Sequence, residues 1–310
     1  MVFKRPEIVR SPSEWKSYFF PLTAGCSNNS CTFCGNYGSK LQVRDVDEVK
    51  REIDAVALYL SSNISAAGIP GIVYTIANQW DGEKVFLQDS DALVYPFAEL
   101  VEILGYLDRK LPSVQRIAAY ATTQDILRRS ADELKELHKL KLGMLYIGLE
   151  SGDNVVLKHV EKGVTAEQEI EAVRRVKAAG ILASVTVILG LGGKAGSERH
   201  ALETSRVLSD MDPDYVGALT LTLVPGTPLY NEWQRGEFQN ITPFESLGEL
   251  LTIIKHSNFT NCFFSSMHAS NYISVRANLP QDKQEIVKQL TAFIKKGNPD
   301  LLRPEFLRGL

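Results

Sequence analysis

The chain has 310 residues, 44% of them apolar and 23% charged, and 34 lysines and arginines against 37 aspartates and glutamates leave a net charge of −3. That composition is globular and not disordered, and its near-neutral charge gives no general attraction to nucleic acid or anionic lipid. No apolar run reaches the roughly 18 residues of a membrane span, the opening Met-Val-Phe-Lys-Arg-Pro-Glu lacks the apolar core of a secretory signal, and four cysteines do not make a disulfide scaffold.

Along the chain, strand-like and helix-like segments alternate. Tyr18–Ala24 is apolar and leads into a loop rich in cysteine. Val43–Leu60 is helical, with Val46, Val49, Ile53, Val56 and Leu60 on one face. Residues 61–80 form a long connection, read as an extra helix or a lid. Lys84–Gln88 is a short strand, Ala98–Leu107 a helix, Arg116–Thr122 a strand, Ala131–Leu140 a helix and Met144–Leu149 a strand. Thr165–Ala179 is a helix opened by Thr165 with Gln168 three residues on and closed by Gly180. Leu182–Leu189 is a β-branched run expected to be buried on both faces. Glu198–Ser209 is helical and Tyr215–Val224 is a sixth strand. Six strand–helix units predict an α/β fold of parallel strands with helical crossovers, without deciding between an open sheet and a barrel. In either case, chemistry belongs at the carboxyl ends of the strands. Residues 226–310 break the rhythm and read as a mostly helical extension with one strand near Cys262–Ser266.

The strongest local signal is Cys26-Ser27-Asn28-Asn29-Ser30-Cys31-Thr32-Phe33-Cys34, a C-x4-C-x2-C spacing. Three thiolates this close suit one metal centre, and several centres compete. A Cys31–Cys34 dithiol leaves Cys26 without a role. A structural zinc site needs a fourth protein ligand, which Cys262 or a histidine would have to supply. A four-iron cluster held by three cysteines leaves one iron open for another ligand. Burial without a ligand role suits a loop of serine and asparagine poorly.

The loop resembles the cluster loop of the radical S-adenosylmethionine enzymes, and the resemblance extends over roughly residues 18–225. It implies a partial six-unit (β/α)6 barrel of the TIM type over 1–225, with 226–310 closing the barrel mouth. It also implies that Cys26, Cys31 and Cys34 hold a [4Fe–4S] cluster whose open iron chelates S-adenosyl-L-methionine, with Phe33 near the adenine. Most of the family has one residue fewer between its first two cysteines. Gln88-Asp89-Ser90-Asp91 stands where the family binds the cofactor's amino group, so Asp89, Ser90 and Asp91 are candidate partners of the ammonium, although acidic residues also suit a solvated helix start. Gly148-Leu149-Glu150-Ser151 resembles the family segment whose side chain faces the cofactor. A carboxylate ending an apolar strand is costly unless paired, which singles out Glu150. Lys162 stands where the family often has a base near the cofactor carboxylate. Ser184 on the fifth strand, Gly190 after it and Leu223 at the end of the sixth are the remaining cofactor candidates.

The activity implied is reductive cleavage of S-adenosylmethionine and hydrogen abstraction from a substrate carbon, with a flavodoxin- or ferredoxin-type electron donor in a reducing cytoplasm. Cys262 alone cannot hold an auxiliary cluster and reads as a buried small hydrophobe. No Asp-x-His-x-x-Gly cobalamin segment and no basic tail are present, so a small-molecule substrate is expected, with neither nucleic acid nor membrane as partner. In the stretch Phe264–Tyr272, His268, Asn271 and Tyr272 are candidates for substrate binding or proton transfer, the other reading being a satisfied histidine at a strand corner. His138, His159, His200 and His256 read as surface residues. Two competing functions are a non-catalytic haem or cofactor carrier related to coproporphyrinogen-oxidase-like proteins, and a structural zinc protein.

Overall fold

A computed structural model describes residues 3–8 and 11–309. The strands and helices, in chain order, are β1 (Tyr18–Pro21), β2 (Thr23–Ala24), β3 (Gln42–Val43), α1 (Val46–Ser62), α2 (Gly71–Gln79), β4 (Lys84–Gln88), α3 (Phe97–Lys110), β5 (Arg116–Tyr120), α4 (Thr123–Arg128), α5 (Ala131–Lys139) and β6 (Leu142–Glu150). They continue with α6 (Asn154–His159), α7 (Ala166–Ala178), β7 (Leu182–Leu189), α8 (Gly193–Met211), β8 (Tyr215–Thr220), α9 (Pro228–Gln234), α10 (Pro243–His256), β9 (Cys262–Ser265), β10 (Arg276–Leu279) and α11 (Lys283–Lys296). The fold is α/β with mostly parallel strands. Among the described residues, no helix is long and apolar enough to cross a membrane.

The chain forms two compact units that interleave in sequence. The first takes the described residues of 1–29, 38–146 and 175–182. Its ladder runs β1-β4-β5-β6, all parallel, with Tyr18 beside Val85, Val85 beside Ile117 and Ala119 beside Leu145. β1 is buried throughout, so its sequence Tyr-Phe-Phe-Pro is apolar without alternation. Local signals start the helices. The Asp45 carboxylate accepts the N–H groups of Asp47 and Glu48 at 3.0 and 3.2 Å, and Ser130 with Glu133 forms a capping box at α5. The long connection at 61–80 contains the helix α2.

The second unit takes residues 30–37, 147–174 and the described residues of 183–310. Its ladder runs β7-β8-β9-β10, with β7-β8 and β8-β9 parallel and β10 antiparallel to β9. β10 was not expected from the sequence. It is four residues long and alternates exposed with buried positions, Arg-Ala-Asn-Leu. β7 also departs from expectation. Its buried residues alternate with partly exposed Ser184, Thr186 and Ile188, so only one face is packed. The Thr165 cap is present: its hydroxyl accepts the Gln168 N–H at 3.4 Å and its N–H donates to Gln168 Oε1 at 2.9 Å.

Candidate active site

In the first unit, β2 pairs with β3 and closes the base of the cysteine loop. Gly25 turns the chain at φ +83°, and a side chain there would press on the Lys40 carbonyl at 3.1 Å. Its N–H donates to Asp89 Oδ2 at 3.1 Å. Behind Cys26, the Ser27 hydroxyl donates to Asp91 Oδ2 at 2.7 Å, with Thr122 Oγ1 at 2.9 Å from the same oxygen. Asp91 Oδ1 accepts the Leu93 N–H at 3.0 Å. Burial, with Asp125 beside it, pushes the Asp91 carboxyl well above the usual range. Burial also works against the Asp125 charge, yet hydrogen bonds from Asp91, Ser27 and Thr122 and the nearby Arg128 hold that carboxyl below its usual value.

Asp91 is fully buried with hydrogen bonds on both oxygens, so it braces the loop. Asp89 stays partly exposed, hydrogen-bonded to Gly25 and Ser90. Burial raises its pKa, opposed by those two donors.

In the second unit, residues 30–37 are held from three sides. The Thr32 N–H donates to the Val160 carbonyl and the Thr32 carbonyl accepts from the Leu229 N–H, each at 3.0 Å. The Ser30 hydroxyl donates to the Glu161 carbonyl at 2.9 Å. Phe33 packs on an apolar cluster of Val156, Val160, Leu191, Leu221, Leu229 and Phe238, beside Ile188 and Leu223. The Cys34 N–H bonds to the Cys31 carbonyl at 3.1 Å, and the Asn36 N–H points to Cys34 Sγ at 3.4 Å.

The end of β6 is strained. Glu150 sits at φ +63°, and the Ser151 N–H returns to the Leu149 carbonyl at 2.7 Å. A three-residue turn at positive φ is the rare, costly kind. The turn aims Glu150 at Lys162, whose Nζ is 3.2 Å from Oε1. Gly148 makes room for the pair, since a side chain there would meet Glu150 Oε1 at 2.0 Å. Burial opposes the Lys162 charge, but Glu150, Glu169 and Cys31 around it leave its pKa raised.

Beyond the turn, His200 is fully buried and not a surface residue. Nε2–H donates to the Ile188 carbonyl at 3.1 Å, so Nδ1 accepts from the Ser151 hydroxyl at 2.7 Å. His138, His159 and His256 are exposed, and Cys262 is buried. The Gly190 N–H donates to Glu249 at 2.7 Å and its carbonyl accepts from Gly193 at 3.0 Å, so its backbone supports the loop before α8. Ser184 lies near the start of β7. Six residues separate it from Gly190, about 20 Å at ~3.3 Å per residue, which puts it at the opposite end of the strand from the candidate site.

A cavity of about 160 Å³ is lined by Phe33, Cys34, Ile188, Thr220, Thr222 and His268, among others. It is mostly apolar, but Thr222 Oγ1 is buried there without a hydrogen-bond partner. His268 lines this cavity. Asn271 and Tyr272 do not, because their polar atoms are consumed elsewhere. Asn271 donates to the carbonyls of Ala218 and Ser266 and accepts from Thr220 Oγ1, while the Tyr272 hydroxyl bonds Glu305 and Arg308. A larger cavity of about 480 Å³ at the start of α8 is lined by Leu191–Gly196 and Glu237–Gln239. Its His159 and Arg199 are already paired with Glu232 and Asp153.

The donor set fits an iron–sulfur cluster. All three cysteines are free of disulfides, soft thiolates select such clusters, and the Asn36 N–H is aimed at Cys34 Sγ. Among the described residues, no three His, Cys, Asp or Glu side chains are grouped around one metal ion. A polynuclear cluster seats each thiolate on a different iron and does not need such convergence.

Comparison with known proteins adds the family. The sequence profile of the Radical SAM superfamily matches residues 20–204. A putative methylthiotransferase of Methanocaldococcus jannaschii is 24% identical over 210 residues, 66% of this chain and 42% of that protein. A tRNA-2-methylthio-N(6)-dimethylallyladenosine synthase of Ectopseudomonas mendocina is 24% identical over 247 residues, 77% of this chain and 49% of that one. The chain thus spans less than half the length of these curated relatives. Among solved structures, a radical S-adenosylmethionine methyltransferase from Kitasatospora setae, with cobalamin and a [4Fe–4S] cluster bound, shares the fold at a TM-score of 0.52 and 17% identity, covering 75% of this chain and 43% of that one.

Proposed function

This chain belongs to the radical S-adenosylmethionine superfamily, whose cofactors are a [4Fe–4S] cluster and S-adenosylmethionine, and from that premise we propose that it cleaves S-adenosylmethionine reductively and abstracts hydrogen from a small organic substrate. When bound, the reduced cluster and S-adenosylmethionine together supply the electron and the C–S bond cleavage. The chain's residues supply position and charge. Cys26, Cys31 and Cys34 hold the iron. Asp89, with an oxygen on the Gly25 N–H, takes the cofactor's ammonium. Lys162, held by Glu150, faces its carboxylate. The cavity beside Cys34 takes the adenine, between Phe33 and the backbone around Leu223, and excludes water there. In this reading, residues 1–225 carry the cofactors, 226–310 supply His268, and a flavodoxin- or ferredoxin-type donor in the cytoplasm delivers the electron.

One observation carries the reading: an aromatic side chain and a candidate cluster thiol, Phe33 and Cys34, line the same apolar slot. At about 160 Å³ the slot is smaller than the roughly 300 Å³ of a drug-sized pocket, the size for a single ring system. The names of the relatives bring a second substrate class, a tRNA base. The net charge of −3 favours the small molecule, since phosphate contacts dominate nucleic-acid affinity.

The test is anaerobic reconstitution with iron and sulfide, then dithionite and S-adenosylmethionine. Roughly four irons per chain and release of 5′-deoxyadenosine are expected, both lost in Cys31→Ala. One zinc with no cluster refutes the reading in favour of a structural metal, and tight haem binding without cofactor cleavage refutes it in favour of a carrier. A salt-sensitive gel shift with tRNA moves the substrate to the second class.

A further inference from the structure

The segment that follows α11 folds back over the turn carrying His268. Two arginines hold it there. Arg303 donates through NH1 to the carbonyls of His268, Ala269 and Asn271, at 3.2, 2.7 and 3.1 Å, and its N–H bonds the Tyr272 carbonyl at 2.8 Å. Arg308 reaches further. Its Nε donates to the Ser270 carbonyl at 2.6 Å, NH2 to the Leu221 carbonyl at 3.0 Å and NH1 to the Tyr272 hydroxyl at 2.6 Å. The guanidinium lies 4.3 Å from the Tyr272 ring centroid, and its side chain is only 4% exposed. Leu221 and Ser270 both line the slot beside Cys34. One guanidinium therefore ties together two residues of the slot's lining, from separate segments of the chain.

The turn it holds presents a defined donor. The Ser270 N–H points to His268 Nδ1 at 3.2 Å. A backbone N–H can only donate, so Nδ1 accepts, and the neutral ring carries its hydrogen on Nε2. The Ser270 hydroxyl, 2.9 Å from the same nitrogen, takes the Thr220 N–H on its oxygen at 3.1 Å. The unpaired Thr222 hydroxyl belongs to the lining of the same slot. An apolar slot with one fixed N–H and one hydroxyl that both donates and accepts matches the edge of adenine, which offers ring-nitrogen acceptors and an exocyclic amine.

We infer that Arg308 is a positioning residue of the nucleoside slot: by joining Leu221 to Ser270 it fixes the slot's width and holds His268 with Nε2–H toward the purine edge, so that the 299–309 segment sets the affinity for the adenosyl group. The inference rests on the reading of the slot as the adenine site. Each bond from the guanidinium is charge-assisted, the stronger class of hydrogen bond, and Lys at this position can reach one wall but not fork to both.

The experiment measures 5′-deoxyadenosine binding by calorimetry to the cluster-loaded protein and to Arg308→Ala, Arg308→Lys and Tyr272→Phe. Ring-15N-histidine spectra report the His268 tautomer alongside. Arg308→Ala keeps the wild-type iron content, binds the nucleoside about tenfold more weakly, which is about 1.4 kcal/mol, and converts His268 to mixed tautomers. Added guanidinium restores part of the affinity. Arg308→Lys and Tyr272→Phe fall between, and they carry the test if Arg308→Ala does not fold. Exposed Arg235, paired with Glu237, gives a control variant that binds as the wild type. Wild-type affinity and an unchanged His268 signal in Arg308→Ala overturn the inference, as does a wild-type protein that binds no 5′-deoxyadenosine. A wild type that loads no iron yet binds the nucleoside through Arg308 overturns the radical reading and leaves the clamp standing.

Discussion

Replacing Lys162 by Met tests whether the pair at the end of β6 is a buried charge network. Glu150 and Lys162 have side chains 14% and 11% exposed and stand 3.2 Å apart. Burial opposes the lysine's charge, yet Glu150, Glu169 and Cys31 keep its pKa above the ordinary 10.5. The lysine's contribution is therefore fully present below that ordinary value and is lost only as pH rises through the higher folded one, so a measurement at pH 7.5 sees all of it. Lys162→Met strands the Glu150 carboxylate, and breaking a buried pair costs about 3–5 kcal/mol. Glu150→Gln leaves the lysine with Glu169 and the thiol, at about 1–3 kcal/mol. The double variant strands no carboxylate at position 150, so it costs less than the sum, with a coupling of roughly 2 kcal/mol. Urea unfolding of the reduced, metal-free protein gives all four corners of the cycle. If Lys162→Met unfolds within about 0.5 kcal/mol of the wild type and the coupling vanishes, the pair is solvent-screened and the argument for a built charge site at β6 fails.

The buried residues behind this site give a pH signature. Burial raises Glu249 from its ordinary 4.5 to about 7, so its contribution is full below pH 4.5 and lost as pH rises to 7. Burial lowers His200 from 6.5 to about 4, so its contribution is full above pH 6.5 and lost as pH falls to 4. The slopes oppose each other, each worth at most about 3 kcal/mol. Glu249→Gln, which mimics the protonated acid, leaves the rising slope alone, and a flat stability profile between pH 4.5 and 6.5 in that variant would refute the assignment. Gly152→Ala drives a methyl to 2.4 Å from the Glu203 carbonyl and 2.6 Å from Thr204 Cα, an overpacking cost of about 1–3 kcal/mol. Gly196→Ala in α8 meets nothing within 4 Å and gains about 0.5–1 kcal/mol. Thermal unfolding separates the two, and equal melting temperatures contradict the packing argument.

What could be read in advance was local. Thr165 with Gln168 and the run Leu182–Leu189 announce themselves because caps and β-branched runs depend on neighbours in sequence. The cysteine spacing is equally local, and it pointed to the family. Burial of polar residues was not legible. His200 looks like any helical histidine until Ser151 and the Ile188 carbonyl, 49 and 12 residues away, take its two nitrogens. Asp91 looks like a free carboxylate until Ser27 and Thr122 reach it. Asn271 and Tyr272 share a polar stretch with His268, but the partners that turn them inward lie elsewhere in the chain. Tyr272 meets Glu305 and Arg308, and Asn271 meets Thr220 and Ala218. β10 escaped because four alternating residues have no signature until β9 lies beside them. A buried threonine with an unused hydroxyl, such as Thr222, carries no sequence signal at all.

The bond from Arg308 to the Leu221 carbonyl spans 87 residues. Ribosomes add roughly 5–20 residues per second, so about 4–17 seconds pass between synthesis of the slot's wall and synthesis of the arginine that fastens it. During that interval β7 and β8 can already stand paired while the cavity beside Cys34 is still unfastened. A nascent chain halted before residue 303 would keep Phe33, Cys34 and Thr222 and lack both arginines, leaving the His268 turn without its anchors. Whatever property of that cavity depends on the fastened wall therefore waits for Arg308 to be added.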